Sequence, residues 1–447
     1  MKPKLFSTLY VLSPLIVFFI IFIGSGIYFT FQGQAYAFYQ VSASVAILPA
    51  ILIAFALFKK PIAETLSVFL KGAGDNNIIV MCLVYLLAGA FTSVLQNIGS
   101  IDATVHLALK FMPANATLPM LFLLSAFVST AMGTSMGTIS AVGPIGVGIA
   151  HAIGLSLPLT MGTIVGGAMF GDNLSVISDT SIAATQIHGC TAKEKFRNNI
   201  RIALPAMALT ILLLLTINQT TLGNIPIDAG NYPILKCLPY FLVLGSIFIS
   251  NNVFIVLTLG IISAGIVGLL AMPSYTLVEF SKNIFEGYKN MTEILILSLL
   301  MGGLGELIKQ RGGFSLLNES LKAIIDPKNT TNQKTAEGAM SAIASLTDLC
   351  TANNTVAIIL SGETTKEIAT RYSISPGRAA MLVDLFSCTI QGIIPYGAQL
   401  LMAGALAGLS PVSIMPHVYY CFLLGIMGIG FIIIQPSRKN QASLETV

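Results

Sequence analysis

Long apolar runs broken by short polar stretches dominate the chain. Runs at about 10–30, 43–58, 78–98, 158–188, 200–218, 235–251, 253–271, 292–308, 380–408 and 412–434 predict helices able to cross a hydrocarbon core roughly 30 Å thick. Two further apolar stretches, 117–150 and 338–361, carry glycine, serine, threonine or asparagine near their centres. Small and polar residues permit a tight tip and can line a cavity, so these stretches predict re-entrant hairpins rather than single crossings. Polar blocks inside 158–188 and 380–408 predict that both of those helices are broken. The expected fold is an all-α polytopic membrane protein of about 10 to 11 spans plus two re-entrant hairpins.

Composition narrows the class. Of 447 residues, 55% are hydrophobic and only 9% charged, too few charges to cover a soluble globule of this size. The ten-residue alternating segments of a membrane β-barrel are absent. The first apolar run has no small-residue cleavage site followed by a polar domain, so it is read as a span and not a signal peptide. Six cysteines fall singly in or beside apolar runs, with no disulfide or metal spacing. With the N-terminus inside and each hairpin returning to the face it left, 19 of the 23 Lys and Arg residues, Lys195 among them, fall on the cytoplasmic side and 4 outside. That places both termini, including a tail at 435–447, in the cytoplasm of an inner-membrane protein. The net charge of +4 is this loop bias and needs no nucleic-acid partner.

A weak repeat runs through the chain at an offset of roughly 214 to 221 residues. Ala88-Gly89 matches Gly302-Gly303, each in a span flanked by amphipathic stretches (Pro61 to Gly74 and Ile101 to Met112; Pro273 to Asn290 and Phe314 to Ile325). Ser135 to Thr138 meets Ala352 to Thr355, and the Gly171 region meets Gln391 to Gln399. Each half holds an odd number of crossings, so residues 1–218 and 235–434 predict two inverted-topology repeats, as in many secondary transporters.

The densest polar block is Gly171 to Thr180, GDNLSVISDT, inside the first broken helix. An ionisable side chain at bilayer depth is expensive and points to function. Carboxylate and hydroxyl oxygens are hard ligands suited to sodium, and a buried carboxylate can also carry a proton. Candidate residues here are Asp172, Asn173, Ser175, Ser178, Asp179 and Thr180. A break between the two aspartates would free backbone carbonyls. The first hairpin adds Thr134, Ser135 and Thr138; the second adds Asp348, Asn353, Asn354 and Thr355; the second broken helix adds Gln391, with Pro395 positioned to free a carbonyl. Asp384 reads either as part of this group or as a partner of Arg378. Glu306 reads as an interfacial ion pair with Lys309 and Arg311, and His188 as a helix-end histidine or pH sensor. No Walker loop or Cys-x-x-Cys pair is present. An ion gradient, with no cofactor, is then the expected energy source.

GDNLSVISDT is similar to the GD-K-x-S-P-x-SDT signature of NhaC-type sodium/proton antiporters, of the ion transporter superfamily, and GTSMGT at Gly133 to Thr138 also resembles that family's pattern. Gly171, Asp172, Ser175, Ser178, Asp179 and Thr180 match position by position, and the resemblance implies an ion-site role for them. Two positions depart: the signature lysine is Asn173 and the proline is Val176. Losing a cation beside Asp172 changes what holds that carboxylate ionised and leaves room for a substrate. The ANNT tip resembles the asparagine-threonine tips of superfamily members that carry carboxylates or amino acids with sodium. The expected activity is sodium/proton antiport in which Asp172 and Asp179 alternately bind sodium and protons. The alternative is a sodium- or proton-coupled symporter for a small amino acid or carboxylate. A channel or structural subunit has no need of a paired repeat. The partners expected are small cations, such a solute and the lipid bilayer, with a homodimer compatible with this architecture.

Overall fold

The computed structural model describes residues 2–32, 34, 40–111, 116–217, 233–246, 252–314, 316, 319 and 332–434. Among these residues all regular structure is helical. The cytoplasmic-tail reading at 435–447, most of the amphipathic stretch from Phe314 to Ile325 and the end of the run at 235–251 lie outside them.

Among the described residues, five helices are each long and apolar enough to cross a membrane: Leu9–Phe29, Asn76–Asn97, Ser135–Ile153, Ala192–Thr216 and Val253–Ala271. Two bent pairs pass the same test, Leu277–Asn290 with Thr292–Gln310 at 46° and Ala398–Ala407 with Pro411–His417 at 100°. Two predicted single spans are divided. The run at 43–58 splits at Ile47 into Ala43–Ala46 and Leu48–Phe58, and the run at 412–434 splits into Pro411–Ile414, a 3-10 turn and Tyr419–Ile434. Apolarity continues through the first break, so hydrophobic pattern alone does not locate it, whereas Pro416 and His417 interrupt the second run.

Both stretches read as hairpins fold as pairs of helices longer than their polar centres suggested, and Ser135–Ile153 is itself long and apolar enough to cross a membrane. The first pairs Thr117–Met132 with Ser135–Ile153, and the second pairs Gln333–Thr351 with Asn354–Arg371. Each turns through a left-handed residue, Gly133 at φ +69° and Ala352 at φ +52°. Each then restarts from a side-chain cap: Thr134 Oγ1 accepts from the Gly137 N–H at 3.4 Å, and Asn353 Oδ1 from the Val356 N–H at 3.1 Å. Both broken helices also form. Leu157–Leu174 is followed by Asp179–His188, and Pro376–Gln391 by Ala398–Ala407. The first break falls inside the polar block, where Ser175 and Ser178 are extended and Ser175 Oγ accepts from the Ile177 N–H at 3.4 Å. Short hydroxyl side chains compete in this way with the helix ladder.

A constant spacing relates these elements. The left-handed residues Gly133, Gly154 and Gly189 recur 219 residues later as Ala352, Ser373 and Gly408. The second arms recur at both ends in the same register, Asp179–His188 and Ala398–Ala407. By this register Ser135 corresponds to Asn354 and Asp172 to Gln391. The alignment of Ser135 with Ala352 expected from sequence is therefore two residues out, because small and polar residues match one another in several registers.

The flanking helices cross between the halves. Gly72 of Ile62–Ala73 packs against the backbone of Gly302, while Gly287 of Leu277–Asn290 packs against the backbone of Gly89. The absence of a side chain at each crossing lets two backbones touch, as is common where helices pack in membranes.

Candidate ion-binding site

Both hairpin tips and both helix breaks open on one cavity of about 420 Å³. Five helices begin at its wall, at Ser135, Asp179, Val253, Asn354 and Ala398. Their N-terminal partial charges offset the carboxylates gathered there.

Asp172 is the centre of the site. It lies at the end of the first arm of Leu157–Leu174, is 6% exposed, and lines the cavity. Ser135 Oγ of the first hairpin donates to Asp172 Oδ2 at 2.7 Å, and Ser178 Oγ across the break donates to Oδ1 at 2.6 Å. Ser178 in turn meets Thr180 Oγ1 at 2.9 Å. From the other half, Gln399 Nε2 donates to Ser135 Oγ at 3.0 Å. Gln391 Nε2 donates to Gln399 Oε1 at 2.7 Å and to the Ala352 carbonyl at 3.2 Å. One hydrogen-bonded chain therefore runs from the second hairpin tip to Asp172, touching both helix pairs and both broken helices. These oxygen ligands can replace water around a hard cation, and the same carboxylate can take a proton.

Of the other sequence candidates, Thr134, Asp179, Thr180, Asn353, Asn354 and Thr355 also line the cavity. Asp179 is exposed to it at the start of the second arm. Four candidates do not line it. Thr138 Oγ1 bonds back to the Thr134 carbonyl at 3.0 Å, and Ser175 Oγ donates to the Thr130 carbonyl at 3.1 Å. Asn173 points away, donating to Asp384 Oδ2 at 3.0 Å. Asp348 is fully buried below the second tip, and among the described residues neither of its carboxylate oxygens has a hydrogen-bond partner.

Three ionic readings are corrected. Arg378 does not pair with Asp384: it grips Glu337 of the second hairpin with two bonds of 2.6 Å and lies 4.5 Å from the Phe431 ring. Asp384, fully buried, pairs instead with Lys195 at 2.5 Å. Lys195 is accordingly removed from the cytoplasmic loop tally, since it is 2% exposed inside the protein. Glu306 does pair with Lys309, at 3.3 Å, but Arg311 lies over the Tyr10 ring. His188 does end its helix, where it is buried, and its Nε2 has no partner among the described residues.

The residues that sequence reasoning missed sit behind the cavity. Lys195 Nζ also donates to the Asn173 carbonyl at 2.8 Å and to Ser181 Oγ at 2.6 Å, and Asn199 Nδ2 reaches the same carbonyl at 2.7 Å. That carbonyl is one of the last four of its helix, which have no partner within the helix. A signal existed: Lys195, Asn199, Ile202, Ala206 and Thr210 fall on one helical stripe, and all are buried. Among the described residues, no group of three or more His, Cys, Asp or Glu side chains could hold a metal ion on its own.

Comparison with known proteins agrees with the motif. The model of the Na+/H+ antiporter family matches residues 4–218. The Na(+)/H(+) antiporter NhaC of Bacillus subtilis is 25% identical over 87% of this chain and 91% of its own length. The arginine/ornithine antiporter ArcD of Halobacterium salinarum is 21% identical over 79% of this chain and 78% of its own. A malate-2H(+)/Na(+)-lactate antiporter of Bacillus subtilis is 28% identical over 36% of this chain and 35% of its own. The apolar helices and these relatives make the chain an integral membrane protein, similar over residues 4–218 to the Na+/H+ antiporter family.

Proposed function

We propose that the protein is a sodium/proton antiporter in which both ions compete for Asp172. The observation that carries this reading is a buried carboxylate in an open cavity, held by hydroxyls from a hairpin tip and from the far side of a helix break. A cation and a proton cannot both neutralise one carboxylate. Each access state must therefore release one before loading the other, which yields exchange. Asp179, exposed in the same cavity, draws cations in and completes their coordination.

The conformational change is assigned to two inverted repeats, 1–218 and 235–434, rocking about the shared cavity in the inner membrane, with both termini cytoplasmic. The 219-residue register supports two repeats, and so does the reciprocal crossing of Gly72 on Gly302 and Gly287 on Gly89. Such an exchange of equivalent contacts is what a two-fold relation produces.

A second reading rests on the cavity itself. At about 420 Å³ it falls in the range of small-molecule sites and far exceeds what a bare sodium ion needs. The amides of Asn353, Asn354, Gln391 and Gln399 line it and can bind a carboxylate or amino group. The alternative is thus exchange or cotransport of a small amino acid or carboxylate with sodium or protons.

One reconstitution separates the two. Liposomes holding a trapped pH dye are given a sodium gradient, with and without a panel of amino acids and carboxylates. Sodium-driven alkalinisation or acidification with no organic solute supports ion exchange, and Asp172→Asn abolishes it while the protein still inserts. Proton movement only in the presence of a solute overturns the first reading in favour of the second.

A further inference from the structure

The ion pair behind the cavity has no role in the exchange just described. Lys195 and Asp384 are both within 2% of complete burial and 2.5 Å apart, on helices from different halves of the chain. A buried pair is seldom kept for stability, since well-packed apolar residues of similar volume serve as well or better. Its contacts are concentrated on one place. Lys195 Nζ uses its three protons on Asp384, on the Asn173 carbonyl and on Ser181 Oγ, so it spans the helix break from the end of the first arm to the second arm. The Asn173 amide completes the loop by donating to Asp384 Oδ2. Asn173 follows Asp172 directly in the chain.

We infer that Lys195 and Asp384 hold the cation affinity of the Asp172 site as a balanced pair. Each charge cancels the other's field at Asp172, so the affinity moves when either charge is lost alone. The inference rests on the antiport reading only in taking sodium as the cation.

Two unit charges roughly 10 Å apart at an effective dielectric constant near 20 interact strongly enough to change an affinity on the order of tenfold. Removing one member of the pair should therefore move sodium affinity by that order, with opposite signs for the two members. Asp384→Asn leaves an uncompensated ammonium and weakens sodium binding. Lys195→Met leaves an uncompensated carboxylate and tightens it. The double variant returns to within about threefold of wild type, and Lys195→Arg, which keeps the charge, also stays near it.

The test is direct sodium binding to purified full-length protein by isothermal titration, beside sodium KM and maximal rate of proton flux in liposomes. Opposite shifts of the single variants and recovery in the double variant support the inference. Shifts in the same direction, or a fall in maximal rate with sodium affinity unchanged in every variant, overturn it and leave the pair a structural tie. Should Lys195→Met fail to insert, Asp384→Asn and the double variant decide: weakened binding restored by the second substitution supports the inference, and no restoration overturns it. Sodium binding without sodium-driven proton flux in wild type would count against the antiport reading alone.

Discussion

Gly171, beside Asp172, offers the sharpest test of how packing holds the site. A Cβ at this position would stand 2.5 Å from the Ala126 carbonyl oxygen and from Ser129 Cβ, and 2.6 Å from the Thr130 nitrogen. Ordinary contact needs roughly 3.5 Å, so Gly171→Ala must drive the helix Leu157–Leu174 about 1 Å from Thr117–Met132. Overpacking of this kind costs about 1–3 kcal/mol. Two bonds that tie these helices stretch with it, Ser129 Oγ to the Ala168 carbonyl at 2.6 Å and Ser175 Oγ to the Thr130 carbonyl at 3.1 Å. Asp172 rides on the displaced helix and Ser135 on the hairpin, so their 2.7 Å bond lengthens toward the ~3.5 Å limit of a hydrogen bond. Misplacement by about 1 Å commonly lowers a rate about a hundredfold. The assay pairs thermal unfolding in detergent with dye-reported proton flux under a sodium gradient. Gly305→Ala is the control: it lies in the helix Thr292–Gln310 with nothing within 4 Å of the added carbon. That variant should be neutral, or stabilised by about 0.5–1 kcal/mol through the greater helix preference of alanine. Wild-type flux and stability in Gly171→Ala would refute the reasoning.

Other outcomes follow from the same geometry. Arg378→Met strands the Glu337 carboxylate, whose side chain is 2% exposed, and should lower stability by about 3–5 kcal/mol in thermal or denaturant unfolding, with Arg378→Lys intermediate because it keeps the charge and loses the two-pronged grip. If sodium and proton compete one for one, sodium KM rises by up to about tenfold for each unit that pH falls, at nearly constant maximal rate. A KM independent of pH, measured from sodium titrations in the liposome assay, would exclude a shared site. Asp179→Asn should retain transport with a sodium KM raised several-fold, since Asp179 is exposed in the cavity whereas Asp172 is buried. Loss of all transport in that variant would make Asp179 an equal partner in coordination.

The sequence made the helical class, the two hairpins and the break near Ser175 legible, because each is written locally. Glycine and Thr134 mark one tip, Asn353 marks the other, and the serines flanking Val176 and Ile177 mark the gap. The reach of long side chains was hidden. Lys195 follows a loop and reads as one more cytoplasmic cation, but its helix starts at a Thr191–Glu194 capping box that aims it inward. Arg378 and Asp384 are six apart on one helix and look like partners, yet about one and two-thirds turns put them on different faces, toward Glu337 and Lys195 respectively. Thr138 shows the converse. Its hydroxyl fits a cation ligand by type, and the helix uses it to satisfy a backbone carbonyl.

The register that relates the halves repeats the backbone without repeating the charge. Where the first half places Asp172, the second places Gln391, and both belong to the same chain of hydrogen bonds. At that position the Gln391 half therefore presents a neutral amide to the cavity in every state. Under the proposed exchange, Asp172 changes access cheaply only when sodium or a proton has neutralised it. Under the same proposed exchange, an empty carrier is held back by the cost of dehydrating one carboxylate, and that electrical lock guards the sodium and proton gradients against uncoupled leak.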